Sequence, residues 1–276
     1  MSIECPETYI LTNQLNKELN NKTITNYEVQ NSQQLQQKGF ISQNQTLNHL
    51  INRKILSTTT KGNTIIIKLD NHWNIIIAPE YGGTITIHPP QTNPTKFHLK
   101  IDLQTLLLTI NLTSIGCIQA VETPFLKTNY LYNRDFSQKL NPLETNFTPK
   151  HFIEQLDNKK QNIKTALVGK TAVIVGISNS AFQDIIYRAK INPKRNTHTL
   201  TLDEKQNLYN AIKQLIKERL EAGGKNQFTD LYGNPGLYIP KMGPNKKDQP
   251  CPLCNSKIEK INHGGGQVYL CPTCQK

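Results

Sequence analysis

The sequence predicts an α+β chain: an N-terminal helix, a β-sandwich, a helical region and a C-terminal hairpin closed by four cysteines. Three observations predict it. Short runs of period two fill residues 62–122, and runs of helical period fill 150–221. Cys251, Cys254, Cys271 and Cys274 form two C-x2-C pairs near the end. No internal repeat is present, and 276 residues suffice for one large domain or two ordinary ones.

The first helix is expected over 7–20, where Leu11, Leu15 and Leu19 recur every four residues behind a Pro6-Glu7 start signal. The polar stretch 31–44 reads as loop or a weakly formed helix. Strands follow at 64–69 and 73–77, around Ile85 and Ile87, around Phe97, Leu99 and Ile101, and at 106–112. Short β segments spaced by turn residues, with prolines at 89, 90, 94 and 124, indicate a sandwich or barrel. Trp73, in a strand pattern, is expected in the core. After Pro142 and Pro149 the period becomes helical, at 152–156, 163–168, 178–188 and 202–221. A Gly/Pro/Asn-rich linker with Tyr232 and Tyr238 spans 223–250.

Sixteen residues separate Cys254 from Cys271. Two tight C-x2-C knuckles can present four thiolates to one Zn2+ in a tetrahedron, which leaves no position for water, so one structural zinc is expected. The intervening segment reads as a hairpin, 257–261 and 267–270 around Gly264-Gly265-Gly266. Cys5 and Cys117 read as isolated small thiols, and no two of the seven histidines have ligand spacing.

The net charge is +12, with pI near 9.4. Residues 151–276 hold 19 Lys+Arg against 10 Asp+Glu, and the first 150 hold 13 against 10. This bias points to an anionic partner. No stretch approaches the ~20 apolar residues of a membrane span. The start, Met1-Ser2-Ile3-Glu4-Cys5, lacks the basic and apolar regions of a secretory signal. A cytoplasmic protein with reduced thiols and no membrane partner is expected.

Three motifs carry a more specific reading. Glu4-Cys5-Pro6-Glu7 leads directly into a helix. Ile163-Lys164-Thr165-Ala166-Leu167 is followed by Val175-Gly176-Ile177-Ser178-Asn179 and, after the next helix, by Ile191-Asn192-Pro193. The finger closes on Cys271-Pro272-Thr273-Cys274-Gln275. In this order the motifs resemble the formamidopyrimidine-DNA glycosylase / endonuclease VIII family. That family opens Pro-Glu-Leu-Pro-Glu, carries a helix–two-turn–helix with a Gly-Ile-Gly-Asn core, and closes on Cys-Pro-x-Cys-Gln.

The resemblance implies a catalytic-type domain at 1–138, a helix–two-turn–helix DNA-binding domain at 139–224, and a linker with zinc finger at 225–276. It implies a monomer acting on damaged double-stranded DNA, associated with the bacterial nucleoid. It puts Lys164 and Asn179 on one phosphate, with backbone N–H groups of the following helix. Asn179 also suits a plain helix N-cap. The finger hairpin is expected in the minor groove, and 223–250 resembles the family's lesion-sensing loop region, although a structural turn fits it equally.

The resemblance also exposes departures. Ile3 stands where the family has its nucleophilic N-terminal proline, and Glu4 where it has the adjacent catalytic glutamate. Ser2 becomes the terminal amine if Met1 is removed, one residue away from the family's position. The family's phosphate-contacting lysine is replaced by Asn63, with Lys61 as the candidate substitute. The finger-tip arginine is replaced by Gly266, beside Gln267, and a bidentate cation is lost. Three readings follow. The first is a glycosylase in which Glu4 acts as acid/base and Ser2 as the amine, with lyase activity in question. The second is a non-catalytic binder of damaged or distorted DNA. The third is an RNA- or ribosome-binding zinc protein.

Overall fold

The computed structural model describes all residues except 1, 2, 81, 114, 115, 137 and 138. It divides into two compact units, 1–137 with 226–237, and 138–225 with 238–276.

The first unit contains α1 (Cys5–Leu19), β1 (Thr23–Ile24), β2 (Asn26–Val29), α2 (Ser32–Gln37), α3 (Asn44–Leu47), β3 (Arg53–Lys61), β4 (Thr64–Leu69), β5 (Trp73–Ala78), β6 (Thr84–His88), β7 (Leu99–Asp102), β8 (Leu107–Asn111), β9 (Cys117–Glu122) and α4 (Tyr130–Asp135). One sheet has the order β1-β3-β4-β5-β9 and the other β2-β7-β8-β6. Every pairing is antiparallel. Their apolar faces share one core: Ile65, Ile67, Ile75 and Ile77 from one sheet and Ile85, Leu99, Ile101, Leu108 and Ile110 from the other, joined by Leu11, Leu15 and Leu19 of α1. The isoleucine runs of β4 and β5 do not alternate because their second face is covered too. Ile66, Ile76 and Ala78 pack with Leu131 of α4, so both faces of these strands avoid water.

Helix α1 begins at Glu4, its N-cap, in a capping box with Glu7. The Glu4 backbone N–H donates to Glu7 Oε2 at 3.1 Å, and both side chains are fully buried. Such reciprocal caps satisfy N–H groups that a helix start otherwise leaves orphaned.

Among the differences from the sequence reading, three bear on the core. Strand β3 was not predicted: Thr58 is one of its few inward residues, and a register shift between Ile55 and Ser57 breaks its alternation. Trp73 is only half-buried and stacks on His49, with ring centroids 4.5 Å apart. Part of the stretch read as linker is core: Phe228 and Leu231 are buried in the sandwich. There Ile87 N donates to Leu231 O at 3.0 Å, which covers the β6 edge. Gln14 fixes the same segment by donating to Asp230 Oδ2 at 2.9 Å and accepting from Leu231 N at 3.0 Å.

The second unit contains α5 (Pro149–Asp157), α6 (Ile163–Leu167), α7 (Asn179–Arg188), α8 (Leu202–Glu221) and the hairpin β10 (Glu259–His263) and β11 (Gly266–Leu270). Phe152, Leu156, Phe182, Ile186, Leu208, Ile212 and Leu215 are buried in it. Asp184, fully buried, ties α7 to the segment after α8: it accepts from Arg188 Nε at 2.7 Å, Tyr238 Oη at 2.6 Å and Lys241 N at 2.9 Å. Tyr238 is therefore a buried strut, its hydroxyl pKa raised by burial and by Asp184. Among the described residues, no helix is long and apolar enough to cross a membrane.

Phe228→Ala is expected to destabilise the protein by about 3–5 kcal/mol, the usual cost of a buried phenylalanine. Chemical denaturation checks this, and an effect under about 0.5 kcal/mol would mean the segment behaves as a free linker.

Candidate functional site

In the first unit the chain start meets the turn between β3 and β4. Ile3 is almost fully buried, and its peptide N–H donates to Glu80 O at 2.9 Å. Thr8, one turn into α1, donates to Gly62 O at 2.8 Å. Gly62 has φ +61°, a left-handed conformation that suits glycine. This turn carries Lys61 and Asn63, so the structure brings Ile3, Glu4, Lys61 and Asn63 into one neighbourhood. Ser2 lies outside the described residues.

A charged network that the sequence reading missed completes this neighbourhood. Arg134 at the end of α4 pairs with Glu80 at 2.5 Å and with Asp135 at 2.9 Å. Asp135 Oδ2 accepts from Thr64 Oγ1 at 2.6 Å and from Asn63 N at 3.1 Å. Glu80 sits at φ +48°, a sparsely populated conformation for a non-glycine residue. The two carboxylates hold the Arg134 guanidinium firmly charged against the cost of its burial. Arg134 and Asp135 are adjacent in sequence, but neither belongs to a motif, and only the fold places them at the Asn63 turn.

Glu4 is completely covered at the head of α1. The nitrogen at position 3 is a peptide nitrogen engaged with Glu80, without the basic lone pair that imine formation needs.

In the second unit Lys164, Asn179, Gly266 and Gln267 converge. Lys164 Nζ donates to His263 O at 2.6 Å, and Asn179 Nδ2 donates to Gln267 O at 2.9 Å. A Cβ placed on Gly266 would stand 3.6 Å from Lys164 Nζ and 3.9 Å from Asn179 Nδ2. The N-cap of α7 is Ser178, whose hydroxyl accepts from Ser180 N at 3.3 Å; Asn179 is the first helical residue and not the cap. Gly176, at φ +78°, makes the tight turn before it.

The four cysteines lie as their spacing predicts. One sulfur from each falls within 4.8 Å of the others, including 3.4 Å for Cys254–Cys271 and 3.9 Å for Cys251–Cys274. Zinc–thiolate bonds of ~2.3 Å give sulfur separations of roughly 3.8 Å in a tetrahedron, so the set fits one structural Zn2+. Hydrogen bonds from Ser256 hold the Cys254 thiol at about 6, which favours the thiolate. Gln275 locks the knuckle to the end of α7: its Oε1 accepts from Cys271 N and its Nε2 donates to Ile191 O, both at 2.9 Å.

Two measurements test this geometry. Metal analysis of the purified protein should give one zinc per chain, and a thiol-displacing reagent should release it with a large fall in Tm; a stoichiometry far below one would remove the finger assignment. Arg134→Met should leave Glu80 and Asp135 without their cation and cost about 2–3 kcal/mol, below a fully buried pair because the site is partly solvated. A denaturant midpoint equal to wild type would contradict that network.

Comparison with known proteins places these sites in a family. Residues 3–113 match the formamidopyrimidine-DNA glycosylase N-terminal domain, 139–230 its H2TH domain, and 248–276 the zinc finger found in FPG and IleRS. The formamidopyrimidine-DNA glycosylase of Pelotomaculum thermopropionicum is 30% identical over 235 residues, 82% of this chain and 83% of that protein. The Rickettsia conorii protein of the same name is 26% identical over 278 residues, covering 99% of this chain and 98% of its own. The fold matches Lactococcus lactis Fpg, solved in complex with DNA containing an abasic site, with TM-score 0.85, 20% identity and 99% coverage of both chains. With three of the family's domains in order and relatives along its length, this chain belongs to the formamidopyrimidine-DNA glycosylase family.

Proposed function

We propose that this protein is a base-excision-repair DNA N-glycosylase that binds damaged duplex DNA and releases a base flipped out of the stack. The observation that carries the reading is the family's full domain order, with Glu4 at the head of α1 and the finger tip seated on Lys164 and Asn179. The relatives bear the name of that activity, and one fold match is MutM in complex with DNA containing carbocyclic 8-oxo-G. The protein acts as a monomer on the bacterial nucleoid.

In this reading Lys61 and Asn63 approach the DNA backbone on one unit, and Asn179, Gly266 and Gln267 on the other. Extruding the base costs a few kcal/mol and least for a damaged pair, which supplies part of the selectivity. Glu4 acts as the acid/base residue, on the sugar or on an attacking water. Its carboxylate is covered in the free protein, so this role requires the chain start to open on binding. Base release by water needs no amine. Lyase chemistry does need one, and Ile3 cannot supply it while peptide-bonded; the amine of Ser2 is the alternative once Met1 is removed.

A second reading, a non-catalytic binder of damaged or distorted DNA, is favoured by the same two facts: Ile3 N is engaged with Glu80 O and Glu4 is fully covered.

Borohydride trapping and base-release assays on duplexes with an abasic site, an oxidised purine or an oxidised pyrimidine separate these readings. Released base without a covalent adduct is the expected result. An adduct lost on blocking the Ser2 amine would show a relocated nucleophile. Tight binding with neither adduct nor base release would establish the non-catalytic reading.

A further inference from the structure

We propose that Lys164 is a positioning residue for the finger hairpin, and that it does not serve as a phosphate contact. Its side chain is 5% exposed, and its ammonium donates to His263 O at 2.6 Å. The aliphatic stem runs directly beneath the hairpin tip. A Cβ built on Gly264 would stand 2.9 Å from Lys164 Cδ and 3.5 Å from Cε. A separation of 2.9 Å is closer than real Cβ contacts come, so any side chain at 264 would have to push the lysine stem aside. Burial lowers the amine's pKa from its ordinary value, the direction expected for a cation withdrawn from water. One of the ammonium's three N–H donors is thus committed to the hairpin, on a residue that the protein covers almost entirely.

The surroundings support a grip on the hairpin. Asn162 holds the same end of β10 a second time: its Oδ1 accepts from Lys164 N at 2.9 Å and bonds His263 Nε2 at 3.0 Å. The other strand is held from α7. Asn179 donates to Gln267 O at 2.9 Å, and Gln183, one turn on, accepts from Tyr269 N at 2.8 Å. Each strand thus has two side-chain grips from the helical unit. Beyond them project only Gly264 and Gly265, at φ +54° and +76°, the signature of a two-residue type I′ turn. The tip has no side chain to steer itself, so its position is set from below, and Lys164 is the group directly under it.

This inference rests on the proposed contact between the finger and DNA. The test is Lys164→Met, which keeps the stem and removes the ammonium. Binding to a duplex with a tetrahydrofuran abasic-site analogue is measured by fluorescence anisotropy across salt concentrations, together with amide hydrogen exchange over 262–268. Zinc content and Tm verify folding. A positioning role predicts about tenfold weaker binding, an unchanged slope of log K against log salt, and faster exchange at the tip. Gly264→Ala, which pushes on the stem from the other side, should reproduce this pattern. A phosphate contact instead predicts a slope shallower by about 0.9 and unchanged exchange; that result, or no change in any readout, would overturn the inference. If wild-type protein binds the duplex without salt dependence, the DNA reading fails, while the exchange measurement still decides what Lys164 holds.

Discussion

A donor withdrawn from water must find an acceptor inside the protein, and this constraint shapes every functional position described above. An unmet buried donor costs about 1–3 kcal/mol, more when it is charged. Ile3 N–H therefore lies on Glu80 O, which fixes the chain start against a left-handed residue. The other atoms of Glu80 are then drawn into the pairing with Arg134, and through Asp135 into the turn that carries Asn63. In the helical unit, Lys164 and Asn179 meet the same requirement on two carbonyls of the hairpin. The groups a sequence motif would aim outward at DNA are, in the free protein, engaged with their own chain.

The finger illustrates how such local bonds combine. A hairpin of two five-residue strands is marginal alone in water. Here four thiolates and a zinc close its base, and Tyr187, Met242 and Ile258 pack round the cysteines in a small apolar cluster. The Tyr187 hydroxyl stands 3.4 Å from Cys251 Sγ, which helps to order a ligand by way of its neighbour. Gln275 then carries this rigid base onto α7. The base is thus fixed by metal and packing, and the tip by the side chains beneath it, which is why the identity of what sits under Gly264 matters.

Elements whose periodicity reports burial were legible from sequence: α1, β4, β5 and α8 lie within a few residues of their expected bounds. The cysteine quartet was legible because metal geometry fixes its spacing. Strand β3 was hidden because a bulge puts Leu56 into solvent at 40% exposure and interrupts the period-two pattern. The role of 226–237 was hidden because a turn-rich composition describes local conformation and says nothing of where Phe228 and Leu231 pack. The Arg134–Glu80–Asp135 network was invisible for a related reason. Its members are 54 and 71 or more residues from their partners across the sandwich, and no local rule joins them. Motif matching put Lys164 and Asn179 on one phosphate, and it could not show that in this chain their donors meet two carbonyls of the hairpin.

The substitutions near the chemistry have a common electrostatic consequence. In the proposed DNA-binding role, Asn63 and Gly266, which stand where the family resemblance puts a lysine and an arginine, offer no cation to neutralise a phosphate. The counterions released on binding then decrease, and with them the salt-dependent part of affinity. A net charge of +12, weighted toward residues 151–276, still attracts the duplex as a whole, but diffuse charge does not fix register as a localised contact does. In that proposed role, orientation rests on backbone surfaces within each unit: the turn at Gly62 in the first, and the start of α7 and the glycine tip in the second. For such surfaces, geometry replaces charge as the source of discrimination, and geometry depends on the buried bonds that hold each surface in place. Lys164 matters in this scheme for where it puts the hairpin, because a tip without side chains can read a groove only by its height and angle.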